Sequence, residues 1–273
     1  MKAITARIAV LCSVLLISAA GARAELSESE IADLFSQGKE LFREANDLMH
    51  EDPVAARELY GKAALRFERI VREGAVRNGR LFYNIGNAYF RMNDIGRAIL
   101  NYRRAEQFIP NDPNLQQNLD YARKRRMDRV EVSQKSRALR AVFFWHYDFS
   151  TKARSAVFMT FFLLAWASAA ARLFWRRATL NWIMASAAGI AALFLASLVA
   201  ESVARGRAVS GVVIAEEAVA RKGDSDSYEP SFKEPLHAGT EFDVIEDRGD
   251  WLHVRLADSR LCWLPAKAAG LVK

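Results

Sequence analysis

The chain has 273 residues and a net charge of +7, a length that suits two domains plus membrane segments. The charge is local: Tyr121 to Leu180 holds 13 Lys/Arg against 3 Asp/Glu, a net of +10, which leaves −3 for the remainder. This excludes a uniformly basic nucleic-acid binder and makes anionic membrane lipid the expected partner of the positive stretch.

Met1 to Ala24 reads as a secretory signal, with Lys2 and Arg7 ahead of the apolar run Ile8 to Ala20 and an A-x-A site at Ala22-Arg23-Ala24. A retained anchor is the competing reading. The two cysteines are Cys12 and Cys262, so a processed chain keeps one thiol and forms no internal disulfide. The histidines His50, His146, His237 and His253 are scattered, with no pair at metal-ligand spacing. No metal or cofactor is expected.

Residues 25–126 are helical by period. Leu34, Leu41, Ala45 and Leu48 form one stripe, and Ala56, Tyr60, Ala63, Phe67 and Ile70 a second; Asp52-Pro53 suits a helix start. Then come Phe82, Ile85, Gly86, Tyr89, Ala98, Tyr102, Ala105 and Pro110. These residues resemble the tetratricopeptide pattern. Gly86 and Ala98 are small where two antiparallel helices come nearest, Met92-Asn93-Asp94 makes the turn, and Pro110 ends the second helix. A preceding repeat fits only with a lengthened loop near His50 to Val54. Leu115, Leu119 and Ala122 begin a helix that could cap the stack.

Residues 127–154 form a basic and aromatic connector. Phe143, Phe144, Trp145 and Tyr147 within it suit the headgroup region. Residues 155–204 contain two apolar runs, Ser155 to Trp175 and Trp182 to Ala204, each long enough to cross about 30 Å of hydrocarbon. The short link Arg176 to Asn181 makes them a hairpin. Ala185 and Gly189, then Ala188, Ala192 and Ala196, with Ala167 and Ala171, offer a face for close helix packing.

After the hairpin the period turns to strand. Val209 to Ile214, Glu241 to Ile245, Trp251 to Leu256 and Leu261 to Leu264 are separated by turn signals, as in a small barrel. Leu252, Val254 and Leu256 share one face, and His253 is expected on the solvent side. Residues 209–273 resemble a bacterial SH3 domain through Leu236-His237-Ala238-Gly239-Thr240, Gly249 to Leu256 and Cys262-Trp263-Leu264. Ser259 and Cys262 stand where that family usually has Gly. Cys262 reads as a small core residue.

The fold class expected is a multidomain membrane protein: all-α tetratricopeptide hairpins, a two-helix transmembrane hairpin and a small all-β SH3-like barrel. This order of parts resembles the Bat-type proteins of bacterial aerotolerance operons, BatE-like members in particular. The resemblance implies an inner-membrane complex with sister proteins bearing von Willebrand A domains. With an exported N-terminus and two spans, both soluble domains face the periplasm. The turn arginines Arg172, Arg176 and Arg177 agree with the positive-inside rule, whereas the basic stretch Arg123 to Arg154 disagrees with it.

The function expected is a non-catalytic scaffold. Its concave surface is lined by Arg80, Tyr83, Asn87, Phe90 and Arg91, and holds a protein partner by shape and a few polar contacts. Asn84 and Asn87 occupy positions that carboxylate-clamp repeats use for a peptide C-terminus. Tyr83 replaces their Lys, so that clamp is not expected. The alternative is an envelope-binding protein whose SH3-like domain contacts peptidoglycan. No nucleophile with a base, phosphate loop or metal cluster argues for an enzyme.

Overall fold

A computed structural model describes residues 26–128, 143–147, 149–175, 177–207 and 209–272. The signal-peptide reading of 1–24 and most of the connector lie outside the described residues. The chain divides into two compact units, the first ending at Lys124 and the second beginning at Arg125.

The first unit consists of α1 (Glu28–Leu48), α2 (Pro53–Glu73), α3 (Gly79–Arg91), α4 (Ile95–Phe108) and α5 (Pro113–Arg125). Each begins where a polar side chain accepts the orphan amides of a first turn. Ser27 and Glu30 form a capping box on α1. Asp52 caps α2 ahead of Pro53, Asn78 caps α3, Asp94 caps α4, and Asp112 accepts from Asn114 and Leu115 at α5.

Helices α3 and α4 close on one another where Gly86 meets Tyr102. A Cβ on Gly86 would lie 2.6 Å from the Tyr102 ring, so only glycine admits this approach. Gly38 and Phe67 repeat the arrangement between α1 and α2, again at 2.6 Å. The expected lengthened loop in this first hairpin is corrected. Its extra residues prolong both helices to 21 residues each, and the link is only Met49 to Asp52. Its far end is filled by Ala45, Ala56 and Tyr60, with Phe42 and Met92 packed against them. The second stripe, Ala56 to Ile70, is wholly buried, as are Leu115, Leu119 and Ala122 of α5.

In the second unit, the short helix α6 (Phe144–Tyr147) precedes α7 (Thr151–Phe174) and α8 (Ala178–Arg207). Both long helices begin before the apolar runs do, so the turn is shorter than expected and Ala178 to Asn181 belong to α8. They contain stretches of mean hydropathy 1.7 and 2.2, of which 6% and 22% are buried. Two helices are therefore long and apolar enough to span a membrane, and most of their apolar surface is uncovered. This is unlike the core pair of a soluble protein. The seam between them is formed by Ser168 and Arg154 of α7 and Ala187, Ala191, Phe194 and Ser197 of α8. The expected packing face is thus corrected: Ala185, Ala188, Gly189, Ala192 and Ala196 of α8 and Ala167 of α7 are exposed, and Ala171 is only half-buried.

Directly after α8, β1 (Val209–Val213) starts a five-stranded antiparallel sheet with β4 (Glu241–Asp247), β5 (Trp251–Leu256), β6 (Leu261–Pro265) and β7 (Ala269–Val272), in the order β6-β5-β4-β1-β7. The strands β2 (Glu217–Ala218) and β3 (Leu236–His237) pair separately. Phe242 faces Leu256 and Val244 faces Val254 across β4 and β5, with a bulge at Ile245. The core combines Val213, Phe242, Leu252, Val254, Leu256, Cys262 and Leu264. Gly249 has φ +78° at the β4–β5 turn, where glycine is unstrained. His253 does not simply face solvent: it is half-buried and stacks on Trp263 at 4.7 Å, nearly parallel. Burial pushes the Cys262 thiol up to about 12, which makes it an inert core side chain.

Candidate functional site

The first unit carries a concave groove of about 630 Å³ between α1 and α3. Helix α1 contributes Phe35, Lys39, Phe42, Arg43 and Asn46; α3 contributes Arg80, Tyr83, Asn84 and Asn87. Phe67 of α2 lies beneath, and Ile109, Asp112 and Asn114 close one end. The floor is aromatic, with Phe35 tilted on Phe67 at 5.7 Å and Phe42 edge-on to Tyr60 at 5.1 Å.

The polar atoms around this floor are mostly donors. The Tyr60 hydroxyl donates to Asn46 Oδ1 at 2.7 Å, and the Tyr102 hydroxyl donates to Asn87 Oδ1 at 2.8 Å. Asn118 Nδ2 of α5 donates to Asn87 Oδ1 at 3.0 Å and to the Tyr83 hydroxyl at 2.9 Å. With their carbonyl oxygens so engaged, Asn46 and Asn87 keep their N–H groups for a ligand. Lys39 approaches the Phe35 ring at 6.0 Å. Arg43 pairs with Glu40 at 3.1 Å, both side chains mostly exposed, an arrangement worth little in water. Asp112, the one carboxylate in the lining, is committed to capping α5. Three cations, Lys39, Arg43 and Arg80, therefore stand over an apolar floor with no free anion among the lining residues.

Of the residues singled out from sequence, Arg80, Tyr83 and Asn87 line this groove. Phe90 does not: it packs edge-on against Tyr121 of α5 at 5.6 Å. Arg91 is exposed at the end of α3, outside the lining. The physical reason is that α5 lies against this face of α3: Asn118 reaches Tyr83 and Asn87, and Tyr121 takes Phe90. The residues missed are those of α1. Phe35, Lys39, Phe42 and Asn46 recur at helical spacing beside the buried stripe Leu34, Gly38 and Ala45, so the sequence held a signal for them.

The tyrosines that fix the groove are structural. Burial raises the Tyr102 hydroxyl well above the ordinary tyrosine range. Burial and then its bond to Glu68 do the same for Tyr89. Both stay protonated donors. Among the described residues no group of three His, Cys, Asp or Glu could hold a metal ion.

A second polar assembly occupies the open end of the α7–α8 hairpin. Arg154 of α7 is almost fully buried. Its guanidinium donates to Glu201 of α8, to Ser197 Oγ at 2.9 Å and to His146 Nδ1 at 3.2 Å. A third assembly joins residues distant in sequence: Asp128 accepts from the His237 amide and ring Nδ1, both at 2.7 Å, and from the Thr240 hydroxyl at 2.6 Å. Burial opposes ionisation of Asp128, but these three donors outweigh it and hold the carboxyl below its usual range.

No protein-family model, curated protein or solved structure matches the chain.

Proposed function

We propose that the protein is a membrane-anchored, non-catalytic scaffold that captures a protein partner in the α1–α3 groove. The observation that carries this reading is the groove itself: an aromatic floor rimmed by Lys39, Arg43, Arg80 and asparagine donors. Such a lining suits an extended acidic segment with apolar side chains. Its backbone carbonyls and carboxylates meet the donors, and its apolar groups meet Phe35, Phe42 and Phe67.

In this reading the helical hairpins are tetratricopeptide repeats. The support is the Gly86–Tyr102 approach, together with its counterpart at Gly38 and Phe67. The β-domain is read as SH3-like, and the assembly as a Bat-type inner-membrane complex with von Willebrand A sister proteins. Both soluble domains are assigned to the periplasm.

The test is photo-crosslinking in native membranes from a probe at Asn84. Charge reversal of Lys39 and Arg80 to Glu should abolish the crosslinked product while leaving helicity and insertion intact. An unchanged product would move the interaction away from the groove. Alkaline-phosphatase fusions after Pro113 and after Val272 should both be active, and one after Thr179 inactive. Opposite results at the two ends would end the hairpin topology.

A further inference from the structure

The third assembly has the form of a receptor and its ligand. The turn from His237 to Thr240 supplies three donors, and Asp128 supplies the carboxylate they meet. The His237 amide and the Thr240 hydroxyl converge on Asp128 Oδ2 at 2.7 and 2.6 Å, and the His237 ring Nδ1 lies 2.7 Å from Oδ1. Both carboxylate oxygens are thus engaged, and hydrogen bonds to an ionised acceptor are the strong ones.

The cradle is built without Asp128. The Val213 amide donates to the Thr240 carbonyl at 2.9 Å, the Gly239 amide to the Val213 carbonyl at 2.8 Å, and the Thr240 amide to the His237 carbonyl at 3.2 Å. Gly239 has φ +95°, which lets the turn close within four residues. His237 also pairs with Glu217 between β3 and β2. These bonds all lie within the β-domain, so its own backbone sets the donors in place.

Asp128, by contrast, lies in no helix or strand and follows the end of α5 by three positions. It meets the cradle through its carboxylate alone. The Asp128 and His237 side chains are each 17% exposed, so the site opens to solvent, whereas Thr240 is fully buried. A buried hydroxyl left without an acceptor is costly. The turn therefore requires an acceptor, whether Asp128 or another group supplies it.

We propose that the His237–Thr240 turn is a carboxylate-binding site of the β-domain, which Asp128 fills as an internal ligand and which takes an aspartate side chain of a peptide segment when Asp128 withdraws. The ligand class follows from the resident, a mid-chain aspartate held by both oxygens. Binding from outside displaces Asp128, and so unties the start of the connector from the β-domain.

The test uses the full-length chain in detergent micelles at fixed pH, with labelled histidine. There are four histidines, and His237→Gln identifies the relevant ring resonance. In Asp128→Ala that resonance should move saturably with aspartate blocked as its acetyl amide, and stay in place with asparagine blocked in the same way. N-acetylglycine, which carries a chain-terminal carboxylate, should bind more weakly. In the wild type Asp128 competes from within the chain. With the turn free in about one molecule in ten, about tenfold more blocked aspartate is needed. Adding Thr240→Val to Asp128→Ala removes a hydrogen bond to a charged group and should weaken binding about tenfold. No saturable shift in Asp128→Ala, an equal response to blocked asparagine, or an undiminished response with Thr240→Val overturns the proposal. Tighter binding of N-acetylglycine overturns the assignment to an aspartate side chain. If Asp128→Ala folds poorly, the same compounds are compared by the β-domain melting point, and no rise with blocked aspartate overturns the proposal.

Discussion

Two helical hairpins in this chain close by opposite means. The pair α3–α4 closes over a bare glycine. Gly86 lies directly beneath the Tyr102 ring, and buried Phe82, Ile85, Ala98 and Ile99 surround the contact. The pair α7–α8 has no such contact. Gly189 meets nothing within 4 Å, and the seam is closed by Ala187, Ala191, Phe194, two serines and the Arg154–Glu201 pair. On the proposed reading of α7–α8 as membrane spans, the difference follows from the solvent. In water, apolar side chains gain by leaving it, and tight packing adds to that gain. In hydrocarbon, lipid solvates apolar side chains as well as a neighbouring helix does, so polar contacts and close small residues must hold the pair.

This comparison is open to attack at both hairpins. The largest effect is expected at the α7–α8 pair. Arg154→Leu removes the guanidinium that pairs with Glu201, and breaking a buried pair from one side costs about 3–5 kcal/mol. Glu201 remains partly exposed, which places the change near about 3 kcal/mol, at the lower end of that range. Replacing both residues with Leu should restore most of the loss. Helicity measured against sodium dodecyl sulfate in mixed micelles would report both, and a double variant as unstable as the single would show that the pair is not the closing element.

The water-exposed hairpin breaks by overpacking. Gly86→Leu forces a side chain into the Tyr102 ring and should cost about 1–3 kcal/mol, read as a lowered melting point of the first unit. Gly38→Leu should behave alike through Phe67. A hairpin that keeps its melting point after either change would not be closed by glycine.

A smaller effect, dependent on pH, is expected at Asp128. Its folded carboxyl lies below the unfolded value, so its contribution is complete above the unfolded value of about 4. It is lost as the pH falls through the folded value. Asp128→Asn should lower β-domain stability by about 1.5 kcal/mol at neutral pH, and the difference from wild type should vanish at strongly acid pH. A difference independent of pH would mean that the carboxylate charge is not what the three donors recognise.

The smallest effect completes the comparison. Gly189→Leu should change hairpin stability by less than about 0.5 kcal/mol, because the added side chain enters open space. Substantial destabilisation in the purified chain would place Gly189 in the seam after all.

What could be read without the structure was what lies close in sequence or repeats at a fixed period. The stripe Ala56 to Ile70 and the Gly86–Tyr102 approach follow from 3.6-residue spacing and a fixed offset between neighbouring helices. The Asp52 cap follows from the side-chain chemistry of a helix start. The two candidate spans follow from composition alone, since length and apolarity define them. Strands β1, β4, β5 and β6 announced themselves through β-branched and aromatic runs between turn residues. Half of the groove was also legible, namely Arg80, Tyr83 and Asn87. The α1 half was obscured because the first hairpin's extra turns displaced its offsets.

Tertiary structure alone decided the rest. A helix apolar on every side has no stripe to mark which face packs, so the choice of Ala187, Ala191 and Phe194 over Ala185, Gly189 and Ala192 could not be read from α8. Phe90 was claimed by Tyr121 only once α5 lay against α3. The polar assemblies join residues too far apart for any period to connect: Arg154 and Glu201 are 47 positions apart, and Asp128 and His237 are 109 apart. Sequence determines local conformation because backbone and nearest side chains act over a few residues. Which distant donor meets which acceptor is fixed only when packed elements bring them within hydrogen-bonding distance, and there a buried charge is stable only with a partner.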